Sequence, residues 1–301
     1  MIPFCSTPPS THYPDSKGKV QTNVKNRIQY VLITATKLAL CALFVQPSSA
    51  QLPNANDSSS PEVKALMDAG AASFKEAHYG EAVANFRKAT QLEPGNENAH
   101  LYLAAAYAYQ VVPNLDTPDN LRTASSALAE FDIVLRADPN DLTAIRQEAS
   151  LYRNIKQFDQ AKTLEKRAIA IDPRDVEALY TIGVLDWLQE YKNAVEILTA
   201  EGLTDNGVGN PNLSHSGCDA LVAKNKALVD EGIASLTQAV ELKPDFDDAM
   251  VYLQLTYRRH AEFHCGDPAG ISADLKLAEE WNKKATQALK ESKAASQPSL
   301  K

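Results

Sequence analysis

Four sixteen-residue stretches of this chain run in helical period and stop on a proline. They are "YGEAVANFRKATQLEP" (Tyr79–Pro94), "ASSALAEFDIVLRADP" (Ala124–Pro139), "FDQAKTLEKRAIAIDP" (Phe158–Pro173) and "VDEGIASLTQAVELKP" (Val229–Pro244). Each carries a small residue at its fourth place, a bulky apolar residue near the eighth and Ala or Val at the eleventh. That spacing places the small and bulky residues on one helical face. The proline then ends the helix, because its ring and missing N–H do not fit a helix interior. The four prolines are 45, 34 and 71 residues apart, which reads as a 34-residue period with two enlargements. A period of that length, two helices per unit, marks a stacked solenoid in which each unit buries its apolar face against its neighbours.

The residues that carry the pattern are Ala69, Gly70, Tyr79, Ala82, Phe86, Ala89 and Pro94 in the first unit. In the third they are Ala149, Tyr152, Phe158, Ala161, Ala168 and Pro173, while Ile182, Gly183 and Tyr257 supply first-helix positions further on. On these residues the chain resembles the tetratricopeptide-repeat (TPR) family. The resemblance implies an all-α fold, a right-handed α-α superhelix of about five helix pairs with two loop insertions. The array is expected over 62–290, with units near 63–96, 97–141, 142–175, 176–246 and 247–290 and a disordered tail over 291–301. Small residues such as Gly70 let paired helices approach closely, and Phe86 or Phe131 fills the space beside them.

Two units are enlarged. In the second, "VVPNLDTPDN" (Val111–Asn120) reads as a loop between the helices. In the fourth, a first helix over Val176–Glu190 is expected to give way to the short "YKNAVEILTAE" and then to a loop over Gly202–Cys218. That loop holds four of the chain's twelve glycines. An alternative parse makes "YKNAVEILTA" a shortened second helix and "CDALVAKNK" the start of another unit.

The charge is divided. Residues 1–50 carry Lys17, Lys19, Lys25, Arg27 and Lys37 against Asp15, a balance of +4, so a net −8 for the chain leaves −12 for the remainder. A surface that acidic is a poor non-specific nucleic-acid binder. The basic lead runs into "LALCALFV" (Leu38–Val45) and "QPSSA", the composition of a secretory signal with cleavage between Ala50 and Gln51. The apolar run is too short to span a bilayer, which takes about 20 residues. Residues 1–50 are thus expected to be a signal peptide and 51–61 a disordered linker. The mature chain is expected to lie in the periplasm or cell envelope with no transmembrane span. The Leu40–Cys41 junction lacks the small residue that usually precedes a lipid-attachment cysteine.

No phosphate loop, HExxH, GxSxG or dinucleotide fingerprint occurs, which argues against an enzyme and against a cofactor. Two zones remain. The TPR resemblance implies an inner wall built from the first helix of each unit. It carries over to Lys64, Met67, Phe74 and Lys75, then Leu101 and Tyr109, then Arg146, Ser150, Arg153 and Asn154. The fourth unit gives Tyr180, Val184, Trp187 and Leu188, and the fifth Asp248, Val251, Arg258 and Arg259. A wall this basic and aromatic suits a protein or peptide partner with acidic and apolar segments. The competing reading pairs its arginines with neighbouring Asp and Glu. The carboxylate clamp of some relatives does not transfer, because Met67 and Ala71 stand where it needs Lys and Asn.

The second zone lies near the C-terminus. After signal cleavage only Cys218 and Cys265 would remain, an even pair that in an exported protein points to a disulfide. Their loops fall on the same edge of stacked units, and a bridge across 46 residues would contribute about 3–4 kcal/mol on the chain-entropy view. The competing assignment is a metal site from His215, Cys218, His260, His264 and Cys265, for which zinc would need thiolates. These features predict an exported, non-enzymatic scaffold of the bacterial envelope that holds a partner polypeptide. The alternatives are a metal- or redox-responsive module and an accessory subunit of an envelope enzyme complex.

Overall fold

The structure is a computed structural model that describes residues 59–296; the expected signal peptide and most of the linker lie outside the described residues. Ten α-helices and a 3-10 turn are present among them, and no strand. They run as α1 (Pro61–Lys75) and α2 (Tyr79–Leu92), α3 (Glu97–Ala108) and α4 (Pro118–Ala137), α5 (Leu142–Asn154) and α6 (Phe158–Ile171). Then come α7 (Val176–Ala200) and α8 (His215–Leu242), α9 (Asp247–His260), the 3-10 turn (Ala261–His264) and α10 (Pro268–Ser296). Each helix packs on the next, and the first helices of the second and third pairs (α3, α5) and of the fourth and fifth (α7, α9) also meet.

Stop and start signals alternate at the junctions. After Pro94, Pro139 and Pro173 the chain turns and begins again at Asn96, Asp141 and Asp175, whose side chains accept from the backbone N–H of Ala99, Ala144 and Ala178. Such caps satisfy donors that the first helical turn cannot, each contributing about 1 kcal/mol. Ser60, Thr117 and Ser214 cap α1, α4 and α8 in the same way.

The interior follows from the repeat. Ala82, Ala89, Ala127 and Ala168 are fully buried. A β-carbon added at Gly70 would overlap the Phe86 ring, so α1 and α2 close on each other only because that position is bare. The eighth place of the proline-terminated stretches is buried in all four: Phe86, Phe131, Glu165 and Leu236. Three are apolar plugs; the third is a carboxylate.

The fourth pair departs from expectation. α7 does not end near Glu190 but continues unbroken to Ala200, because no Gly or Pro interrupts it after Gly183 and Trp187, Glu190, Ala194 and Leu198 keep one face buried. α8 likewise starts at His215 and runs 28 residues. Neither a shortened second helix nor an extra unit forms. Cys218 consequently lies in the first turn of α8 rather than in the loop, which spans 201–214. None of the described helices is long and apolar enough to cross a membrane.

Candidate functional site

The first-helix face was expected to be basic and aromatic. Its aromatics form two groups. At the N-terminal end Phe74, Tyr79 and Tyr109 meet edge-on or tilted, with centroids 4.9–5.4 Å apart. Tyr109, at the end of α3, remains 50% exposed. At the other end α7 and α9 build a continuous seam. Tyr180 contacts Phe246 at 4.9 Å and Tyr252 at 5.8 Å, Tyr252 contacts Trp187 at 5.7 Å, and Trp187 stacks on Tyr191 at 5.6 Å. Cations close it at both ends, Lys243 over Phe246 and Arg259 over Tyr191. Trp187, Phe246 and Tyr252 are buried, and Tyr180 is partly exposed. Burial, followed by the charge of Asp248, pushes the Tyr252 phenol up to about 12. Phe246, Tyr252 and Tyr191 were not among the residues singled out from sequence.

The arginines are less available than their positions implied. Arg146 is half-exposed, yet its Nε donates to Asp175 at 2.7 Å and a terminal nitrogen reaches Asp172 at 3.4 Å. Arg153 is drawn onto Glu165, the carboxylate that replaces the apolar plug of α6. Burial pushes Glu165 up to about 7 against the pull of Arg153. Glutamate in a slot otherwise held by Phe or Leu was the one signal in the sequence for this pair. Asn154 contributes its backbone carbonyl, which accepts from the N–H of Asn114 at 2.8 Å and fastens the loop of the second pair to α5.

Arg259 corrects the expectation most sharply. It is 4% exposed and faces inward. Its guanidinium grips Asp205 through two donors, at 3.0 and 2.6 Å, and Glu262 at 2.5 Å. This arrangement ties the 201–214 loop to α9 and the 3-10 turn. Burial opposes its charge, but Glu262 and Asp205 hold its pKa above the ordinary arginine range. Glu262 is pushed up to about 7 by burial. Glu190 of α7 is fully buried, neither of its carboxylate oxygens has a hydrogen-bond partner, and burial raises its pKa well above the usual range. Burial without a hydrogen-bond partner favours the neutral form of such a carboxyl over the charged one. Arg258 lies beside this cluster, partly buried, its pKa lowered by burial and by the neighbouring Arg259. On α6, Lys162 reaches Asp186 of α7 and Glu231 of α8, joining three helices. Burial pushes Asp186 up to about 6.

At the C-terminal edge Cys218 and Cys265 face each other with Cα atoms 6.1 Å apart and sulfurs in contact, within the span a disulfide requires. They border a cavity of about 540 Å³ lined by Leu198, Leu213, Leu221, Pro268, Ile271 and Leu275. His215 is exposed at the start of α8 and does not join the other candidate metal ligands. Among the described residues the set His215, Cys218, His264 and Cys265 is not brought together as a group of metal ligands. Among the described residues His260, His264 and Asp274 are instead brought together.

Solved structures of MamA share this architecture. One crystal structure of MamA aligns at TM-score 0.52 with 17% identity, covering 80% of this chain and 98% of that one. A MamA RS-1 double mutant aligns at 0.53 with 16% identity over 78% and 98%. MamA from Desulfovibrio magneticus RS-1, residue 41 to its end, aligns at 0.52 with 17% identity over 77% and 97%. At such identity the likeness is one of fold. No protein-family model matches the chain, and no curated protein matches it in sequence.

Proposed function

Taking the chain as a solenoid of the tetratricopeptide-repeat fold, we propose that it is a non-enzymatic scaffold that holds an extended or helical segment of a partner polypeptide against its first-helix face. The observation that carries this reading is the placement of partly exposed aromatics on first helices at both ends of the array. Phe74 and half-exposed Tyr109 occupy one end and Tyr180 the other. Aromatic rings offer large contact area at small entropic cost and are frequent anchors in interfaces. The cations between them are largely answered by the protein's own carboxylates. Apolar anchoring therefore leads, and acidic segments of the partner have Arg258 and half-exposed Arg146 as their remaining contacts.

The basic lead and short apolar run favour export into a bacterial envelope, with cleavage after Ala50. In that oxidising setting Cys218 and Cys265 would form a disulfide bracing the enlarged end of the array. An intact mass two hydrogens below the reduced value, on a chain that starts at Gln51, is the result expected from the secreted protein.

Panning a random peptide display library against the immobilised protein tests the binding role. Peptides with aromatic or aliphatic anchors beside acidic residues should be enriched. Phe74→Ala with Tyr109→Ala, or Arg258→Gln, should weaken the selected peptides tenfold or more, with retention of the fold checked by circular dichroism. No enrichment, or enrichment indifferent to both variants, would remove the first-helix face as the site.

A further inference from the structure

We propose that His260, His264 and Asp274 bind one divalent first-row transition cation of the Zn²⁺ type, clamping α9 to α10. The three residues come from adjoining elements. His260 closes α9, His264 ends the 3-10 turn four residues later, and Asp274 enters from the second turn of α10. His260 Nδ1 and His264 Nε2 each lie 2.7 Å from the same oxygen, Asp274 Oδ2. All three ligand atoms fall within 4.8 Å of one another. Around a tetrahedral zinc with ligand bonds near 2.0–2.2 Å, neighbouring ligands are roughly 3.3 Å apart. Opening the two contacts by about half an ångström makes room for the ion.

The chemistry of the set selects the class of cation. Two imidazoles and a carboxylate suit zinc, cobalt, nickel or copper, whereas magnesium and calcium seek an all-oxygen shell. The surroundings are prepared for the ligands. Asp274 is 6% exposed, so a carboxylate is committed to a buried position beneath two rings that are themselves only partly covered. That asymmetry leaves the outer side open for water as a fourth ligand. A β-carbon at Gly270 would overlap the His264 imidazole, so the first turn of α10 presents bare backbone where the ring must lie. Phe263 meets the His260 ring edge-on with centroids 5.5 Å apart. The site is independent of the peptide-binding reading, and it adjoins Cys265 without using sulfur.

The test uses the full, tag-free chain purified without reductant, stripped with chelator and dialysed against Zn²⁺. Metal content per chain should approach one equivalent, and Zn²⁺ should raise Tm by several degrees. His260→Gln and His264→Gln should each lower retained zinc at least tenfold and abolish the Tm shift. Glutamine keeps a donor toward Asp274, so a purely hydrogen-bonded role would survive this change and the metal role would not. Asp274→Asn should act in the same way, and if it disturbs folding by circular dichroism the two partly exposed histidines decide. Co²⁺ in place of Zn²⁺ should give ligand-field bands without a thiolate charge-transfer band. Less than a tenth of an equivalent bound, retention unchanged in both His→Gln variants, or a thiolate band would each overturn the assignment.

Discussion

The first three helix pairs and the last two obey one 34-residue plan but are held together by different forces. α1 to α6 are 12–20 residues long, and their interior is mostly alanine, Phe86, Phe131, Leu103 and Leu151, with Glu165 of α6 as its single buried carboxylate. α7, α8 and α10 reach 25, 28 and 29 residues, and around them Asp186, Glu190, Arg259, Glu262 and Asp274 are buried. Helices of standard length are covered by the neighbouring pair, so apolar complementarity is sufficient. Helices that outrun the plan need something to meet, and here the loop and the 3-10 turn at that end are tied to α9 through the ions around Arg259. Breaking one member of a buried ion pair leaves its partner charged in a poor solvent, which costs more than the pair itself contributes. The enlarged end should therefore be the more sensitive to single substitutions, to pH and to redox state.

The largest effect should come from Arg259→Met. It strands Asp205 and Glu262, and a loss of about 3–5 kcal/mol is expected, read as a lowered midpoint in urea. The loss should be smaller at acid pH, where the stranded carboxyls are protonated. An equal loss at pH 5 and pH 8 would mean that the arginine acts by packing alone. Next, Cys218→Ser in oxidised protein should cost up to about 3–4 kcal/mol if the loop-entropy view holds, and hydrogen exchange should rise in residues 201–218 and 261–275 but not in α1 to α4. Uniform change along the array would erase the proposed division.

A smaller effect concerns pH. Glu165 and Glu262 are raised to about 7, and Asp186 to about 6, all by burial. Carboxyls held above their unfolded values bind more protons folded than unfolded. Their contribution is full below about pH 4.5 and is lost as pH rises through about 7. Tm should thus be several degrees higher at pH 5.5 than at pH 8, and Glu262→Gln should flatten that slope. The smallest effect is expected in the first region's manner of pairing: Arg146→Ala, which takes a half-exposed guanidinium from half-exposed Asp172 and buried Asp175, should cost about 1 kcal/mol and shrink in high salt.

Much of the architecture could be read from the residues. Pro94, Pro139, Pro173 and Pro244 announced the stops, while Gly70 and Ala82 announced the close approach of α1 and α2. What could not be read was pairing across the stack. Arg259 and Asp205 are 54 residues apart and Arg146 and Asp175 are 29 apart. Nothing in their local sequence says that an inner-wall arginine already has an acid waiting. The length of α7 was missed for a related reason. "LQEYKNAVEIL" resembles the start of a new helix, but a long helix keeps its face only when a neighbour of matching length covers it, and α8 does so here. His260 and His264 were visible as an i, i+4 pair; Asp274 was not, because it arrives from the next helix.

The grip of Arg259 on the loop carries a consequence for how such a chain can grow. Arrays lengthen by copying a unit and inserting it beside its template, and a copy placed after the first pair would re-create the alanine and aromatic surfaces it displaced. A copy placed after α8 would part Asp205 from Arg259 and Cys218 from Cys265 at once. That junction is closed to duplication, so lineages that gain or lose units should do so upstream of it and inherit the last two pairs as one indivisible block.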